Sequence, residues 1–113
     1  MRDEEHSLTH RFSNLSALNN AFMSFVYNGG IFIPTEADFH LGDFINISIT
    51  LPERDQTFIF SGEVIWVTPK SIHDNFHRPG VGIQCTGDEG TALIKAIQSL
   101  LMDFKEESNS DTL

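Results

Sequence analysis

One stretch of the chain, residues 45–51, alternates apolar and polar side chains with a period of two. Large aliphatic residues occupy every second position of it, at Ile45, Ile47, Ile49 and Leu51. Such alternation is typical of a strand with one side on a core and the other in solvent, which is the usual arrangement in antiparallel sheets. We therefore expect a mainly β fold.

Further short strands are predicted on both sides of this one, separated by Gly, Pro, Asn and Asp residues. They are expected at 8–12, 31–33, 58–67 and 81–85. The pattern of Leu15, Leu18, Phe22 and Phe25 follows helical spacing and predicts a turn of helix after the cap residues Ser13 and Asn14. Gly62, in the middle of the longest predicted strand, indicates a bulge or a bend there.

The C-terminal part of the chain reads as one amphipathic helix that begins near Asp88. Its apolar residues follow one helical stripe, made of Leu93, Ile94, Ile97, Leu100, Leu101 and Phe104. Several short strands with one terminal helix favour a small antiparallel β-barrel that this helix plugs or flanks. With 113 residues the chain has room for one domain. We place it at residues 8–105, between flexible polar termini at 1–7 and 106–113.

The charge balance excludes several classes of partner. Seven Lys and Arg against sixteen Asp and Glu give a formal charge of −9. Such a chain repels nucleic acids and anionic membrane surfaces unless its few cations cluster. An oligonucleotide-binding barrel is therefore a disfavoured interpretation of the predicted strands. A single cysteine, Cys85, forms no internal disulfide and fits a reducing cytoplasm. There is neither an apolar signal region at the N-terminus nor a membrane-spanning run.

Histidine spacing offers no metal site. His73 and His77 lie four residues apart, as ligands on one helix face would, but the surrounding residues have the composition of a loop. His6 and His10 have the same spacing and run from a polar terminus into a strand. We expect a monomer that folds without metal or other cofactor.

Catalytic residues are equally hard to assemble. Cys85 alternates with polar neighbours on a predicted strand, which is typical of a buried small apolar residue rather than a nucleophile. Glu63 lies within a strand and Asp43 in a turn, and nothing in their spacing brings them together for acid–base work. The sequence therefore predicts a protein that is not an enzyme.

An excess of large apolar residues remains once a small barrel is filled. Phe25 and Val67 are expected to be core residues. Phe22 and Trp66, together with Met23, are candidates for an exposed apolar surface of the kind that binds other proteins.

The residues at 21–35, 41–43, 62–70 and 79–84, followed by the closing helix, resemble in order the PilZ-domain family, and in particular its type IV pilus assembly branch. The resemblance covers about residues 8–105 and implies a PilZ-type β-barrel. PilZ domains at large bind cyclic di-GMP through an R-x-x-x-R motif and a D/N-x-S-x-x-G motif. Here Arg2 and Arg11 are nine apart, and neither Gly29 nor Gly30 completes the second motif.

Members of the pilus-assembly branch that lack these motifs are adaptors, so the resemblance implies a role in type IV pilus biogenesis and twitching motility. The implied partners are the pilus-extension ATPase PilB and the degenerate EAL domain of the regulator FimX. The residues carried over as protein-binding are Phe22, Met23, Trp66, Pro69 and Lys70. The alternative is a cyclic di-GMP receptor with an atypical site.

Overall fold

The computed structural model describes residues 7–53, 55–68 and 79–111, with side chains through residue 102 and at Phe104. Six strands and two helices follow one another along the chain. They are β1 (Ser7–Arg11), α1 (Leu15–Ala21), β2 (Phe22–Met23), β3 (Gly30–Pro34), β4 (Phe44–Thr50), β5 (Thr57–Val67), β6 (Gly80–Gln84) and α2 (Gly87–Asp111).

The six strands form one sheet in the order β1-β4-β5-β6-β3-β2. The expected mainly β architecture with a C-terminal helix is confirmed. Two details differ from the expected antiparallel barrel: β1 pairs with β4 in parallel, and the sheet is not closed among the described residues. Closure fails because β2 is only two residues long and the preceding residues form α1, which contacts β3 and α2.

The core lies between the concave side of the sheet and α2. The predicted apolar stripe is buried at Leu93, Ile94, Ile97, Leu100 and Leu101, with Phe104 partly buried against the same core. The alternating residues of β4 are buried as well: Ile45, Ile47 and Ile49. The backbone of α2 continues to Asp111, past residue 105, where the sequence pattern places the end of the domain.

Strand β5 carries an irregularity near its end. Val64 pairs with Ile83, but the next residue of β6, Gly82, pairs with Trp66. Ile65 is therefore an extra residue, as in a β-bulge. The sequence placed this irregularity at Gly62, which instead pairs in regular register with Ile45. Gly62 is needed for space, because a Cβ there would collide with the side chain of Ile83.

The predicted turn at residues 41–43 is present and is tied to the bulge. Gly42 has a φ of 91°, a left-handed conformation that glycine adopts without strain. Its backbone N–H donates to the carbonyl of Val64 at 2.8 Å, and the Val64 N–H donates to the carbonyl of Asp43 at 2.8 Å. The Asp43 carboxylate accepts from the His40 N–H at 2.8 Å. These bonds hold β5 where the bulge begins.

Among the helices of the described part of the chain, none has the length and apolar character needed to span a membrane.

Candidate protein-binding surface

The convex side of the sheet carries the candidate surface. Residues that pair across neighbouring strands share one side of a sheet, so the pairing register identifies the outward residues. One outward row runs Trp66, Gly82, Phe32, and the next runs Glu63, Gln84, Gly30, Met23. The residues that alternate with them along the strands point to the core and are buried: Ile31, Ile33, Val64, Val81 and Ile83.

Two large side chains meet where Gly82 has none. A Cβ at Gly82 would lie 3.0 Å from Met23 Sδ and 3.0 Å from Trp66 Cβ. Glycine at this position therefore lets Met23 and Trp66 converge from strands on either side of it. The close approach covers the backbone of β6 with apolar side chains.

The bulge enlarges this apolar area. Because Ile65 is an extra residue, both it and Trp66 line the same depression on the convex side. The depression has a volume of about 370 Å³. We call its lining the outer apolar face, which consists of Met23, Phe25, Val26, Phe32, Ile65 and Trp66. Trp66 is 46% exposed, far more than a core residue would be.

The segment after β2 adds to the exposed apolar area. Phe25 is 82% and Tyr27 is 81% exposed. Positive φ angles of 66° at Asn28 and 84° at Gly29 reverse the chain and return it to β3. The Gln84 side-chain amide donates to the Tyr27 carbonyl at 2.8 Å, which ties the segment to β6. The aromatic side chains are thus exposed on an anchored turn.

The structure brings together two of the predicted protein-binding residues, Met23 and Trp66. It separates Phe22 from them, because Phe22 pairs with the buried Ile31 and packs partly buried against the core. There Phe22 lines a groove beside α2. Pro69 and Lys70 lie outside the described residues.

The expectation that Phe25 is a core residue is wrong. Helical spacing grouped Phe25 with Leu18 and Phe22, but α1 ends at Ala21 and the chain changes there to extended structure. Past that point the helical period no longer says which side a residue faces. Val67, the other expected core residue, is partly buried and packs against the core.

Three members of the outer apolar face were missed by sequence reasoning besides Phe25: Val26, Phe32 and Ile65. For Ile65 a signal existed, since apolar residues on both sides of the strand near Trp66 are typical of a bulge or of a second buried surface. For Phe32 none existed, because an apolar triplet before a proline reads as a fully buried strand.

The thiol of Cys85 and the described histidines are the other side chains that the sequence offers for chemistry. Burial raises the pKa of the Cys85 thiol to about 12, so the thiol is protonated and inert at neutral pH. The described residues hold no group of His, Cys, Asp and Glu that could bind a metal ion. His10 packs edge-on against Phe12, with ring centroids 4.5 Å apart. His6, His73 and His77 lie outside the described residues.

A second depression, of about 520 Å³, lies on the other side of Phe32, between β1, α1 and β3. Its polar lining includes His10, Arg11 and Asn20. The Arg11 guanidinium forms an ion pair with the Asp55 carboxylate, and both side chains are largely exposed. An anionic ligand in this depression would compete with that carboxylate for its arginine.

The chain was compared with known proteins. A family model described as PilZ domain matches residues 3–103. No curated protein matches the chain.

Proposed function

The chain belongs to the PilZ-domain family, and from that premise we propose that it is a non-catalytic adaptor in type IV pilus biogenesis and twitching motility. PilZ domains serve cyclic di-GMP signalling as receptors of the messenger or as adaptors. The proposal assigns this chain to the adaptors. It acts in the cytoplasm as a monomer that binds the extension ATPase PilB and an EAL-domain regulator such as FimX.

The observation that carries the proposal is the outer apolar face. Its two exposed aromatic residues, Phe25 and Trp66, share one depression with partly exposed apolar side chains, which is typical of surfaces that other proteins cover. Trp66 is of the residue type most often responsible for binding energy, and it lines the depression together with five other apolar residues. Pro69 and Lys70 follow Trp66 closely in the chain, so we retain both as contributors to the same interface.

The arginine content supports an adaptor over a receptor. Gripping the two phosphates of a cyclic dinucleotide calls for forked cations. The chain has no R-x-x-x-R sequence, and Arg11 is paired with Asp55.

The proposal is tested by calorimetric titration of the purified chain with PilB and, separately, with the EAL domain of FimX. Wild type, Trp66→Ala and Ile59→Ala are compared. Ile59 is a matched control, since it is a 65% exposed apolar residue of the same strand, outside the outer apolar face. We expect binding that Trp66→Ala weakens and Ile59→Ala does not. If the chain bound neither PilB nor the EAL domain of FimX, the adaptor role would be contradicted.

The alternative function, a cyclic di-GMP receptor with an atypical site, is favoured by one observation. The depression beside Arg11 has a volume of about 520 Å³, within the range of roughly 300–1,000 Å³ typical of ligand pockets, and it includes an arginine. Titration with cyclic di-GMP separates the two functions. Saturable binding that Arg11→Ala abolishes would support the receptor.

A further inference from the structure

We propose that the outer edge of β1 takes an extended segment of a partner protein, which adds a strand to the sheet. The segment has apolar residues at every second position and uncharged polar residues between them. The site is distinct from the outer apolar face, although Phe32 lines the depressions of both. The proposal does not depend on the adaptor role.

The backbone groups of β1 point alternately towards β4 and away from it. The Phe12 N–H donates to the Thr50 carbonyl at 3.0 Å, which sets this alternation. In the parallel register the backbone groups of His10 then also face β4, whereas the N–H and C=O groups of Thr9 and Arg11 point away from it. Among the described strands, β4 is the one neighbour of β1. The outward groups of Thr9 and Arg11 can therefore bond an extended chain laid beside them.

The two edges of the sheet differ in their protection against such pairing. Natural sheets protect an edge by keeping it short, or with a proline or a bulge. At one edge, β2 is two residues long, and its neighbour β3 ends at Pro34, which has no N–H to donate. At the other edge, β1 is five residues long, contains no proline and pairs with β4 in unbroken register. The edge of β1 is therefore the one that can accept a strand.

The depression of about 520 Å³ lies along this edge. His10, Arg11 and Phe12 all line it, although successive side chains of a strand point to opposite sides of the sheet. The depression therefore lies against the edge of β1, and every second side chain of an added strand would enter it. Its apolar lining favours apolar residues at those positions and consists of Phe12, Ala17, Ala21 and Phe32.

The charges beside the edge cancel. The Arg11 guanidinium and the Asp55 carboxylate form an ion pair at the end of β1, and both side chains are largely exposed. A carboxylate on the partner segment would compete with Asp55, and a cation on it would compete with Arg11. We therefore expect uncharged polar residues at the positions that do not enter the depression.

The test uses a labelled peptide of about seven alternating Thr and Val residues with blocked ends, the length of an ordinary strand. Two control peptides carry backbone N-methyl groups, one on all Val residues and the other on all Thr residues. Because the N–H groups of a strand alternate in direction, only one of these two sets would face β1. Fluorescence polarisation measures the affinity of each peptide for the full chain.

Two variants at one position locate the site. Thr9→Pro removes an N–H that the pairing with β4 does not use, and proline is tolerated on an edge strand in that orientation. Thr9→Ala is the matched control, because it removes the same side chain and keeps the N–H. Circular dichroism establishes that both variants fold. If Thr9→Pro did not fold, the three peptides would still decide the proposal on wild type.

We expect one methylated peptide to bind wild type about tenfold more weakly than the unmodified peptide, and the other within about twofold of it. Thr9→Pro should weaken binding of the unmodified peptide about tenfold, and Thr9→Ala less than about twofold. Absence of binding at millimolar peptide, or equal affinities of the three peptides, would overturn strand addition. Equal losses by both methylated peptides, or equal effects of the two variants, would overturn pairing with β1.

Amide hydrogen exchange shows where the peptide lies. Bound peptide should slow exchange of the Thr9 and Arg11 N–H groups. Protection at Met23 and Trp66 instead would place the peptide on the outer apolar face and overturn the proposal. Sedimentation of the chain alone covers the remaining occupant, because a dimer that Thr9→Pro dissociates would assign the edge to a second copy of the chain.

Discussion

Met23 and Trp66 meet over Gly82, at the same distance of 3.0 Å from the position that a Cβ there would take. Met23 is on an edge strand of two residues and Trp66 is on the longest strand of the sheet. Their approach over the glycine places the flexible thioether of Met23 and the side chain of Trp66 in one apolar depression. The five predictions below concern this surface, the core behind it, the binding of cyclic di-GMP and the thiol of Cys85.

Replacing Trp66 with Ala should separate binding from folding. Because the indole is 46% exposed, we expect a loss of about 1–2 kcal/mol in the free energy of unfolding, less than the roughly 3–5 kcal/mol of a fully buried aromatic. Partner binding should fall by about 2 kcal/mol or more, roughly 30-fold in Kd. Thermal unfolding and retention of PilB measure the two effects. If the variant were already unfolded at room temperature, Trp66 would have to be counted as a core residue.

Phe22 and Phe25 should behave in opposite ways. Phe22→Ala removes a ring packed against the core and should cost about 2–3 kcal/mol of stability. Phe25→Ala removes a ring that is 82% exposed and should change stability by no more than about 0.5 kcal/mol. Chemical denaturation of the two variants side by side gives both values. Equal stability losses would contradict the division of these residues between core and surface.

Gly82→Ala should displace side chains of the outer apolar face. The added methyl group presses on Met23 and Trp66, so we expect a destabilisation of about 1 kcal/mol and weaker partner binding. Trp66 is the only tryptophan of the chain, and its fluorescence emission reports the displacement directly. In a Met23→Ala background the methyl group has more room and should cost less. An unchanged cost there would show that the two side chains do not meet over Gly82.

Cyclic di-GMP should not bind appreciably. The sequence contains no R-x-x-x-R motif, and the guanidinium of Arg11 is engaged by Asp55. Calorimetry at millimolar ligand is expected to give no saturable isotherm. In the Asp55→Asn variant Arg11 loses its carboxylate partner, so titration of this variant tests whether the ion pair by itself prevents binding. Micromolar binding by wild type would favour the receptor alternative.

Cys85 should make the protein less stable at high pH. Burial raises the pKa of the thiol from 9.0 to about 12, so the folded state holds its proton after the unfolded chain has lost it. Stability from this group is complete below pH 9.0 and decreases above it, by up to about 1.4 kcal/mol per pH unit. Unfolding curves between pH 8 and 10 should show this slope, and Cys85→Ala should lack that part of it. Identical slopes would contradict the shift.

The sequence predicted those parts of the fold in which one period persists over a whole element. The alternation of Ile45, Ile47 and Ile49 and the stripe that begins at Leu93 both point to the core as expected. The closure of the sheet was not predictable, because it depends on the length of β2. That strand begins directly where α1 ends, and its two residues carry no periodicity.

The candidate surface was predictable only in part, for the same reason. Met23 and Trp66 were found as surplus apolar residues, and Phe22 was grouped with them. Adjacent residues on one strand face opposite sides, however, and Phe22 packs against the core. Assigning a side requires the pairing register, and the bulge at Ile65 shifts that register by one residue. Pro69 and Lys70 lie outside the described residues, and their role in binding stays a prediction.

The two edges of the sheet are β1 on one side and the pair β3 and β2 on the other. The short helix α1 lies at the seam between these edges, and the depression of about 520 Å³ opens beside it. In a closed barrel that seam would be a ladder of backbone hydrogen bonds, which every sequence forms alike. Here it is made by side chains, with Leu18 of α1 fully buried behind it. The width and chemistry of the seam are therefore open to change by substitution alone, without altering a single strand pairing, and divergence within such a fold has its easiest route there.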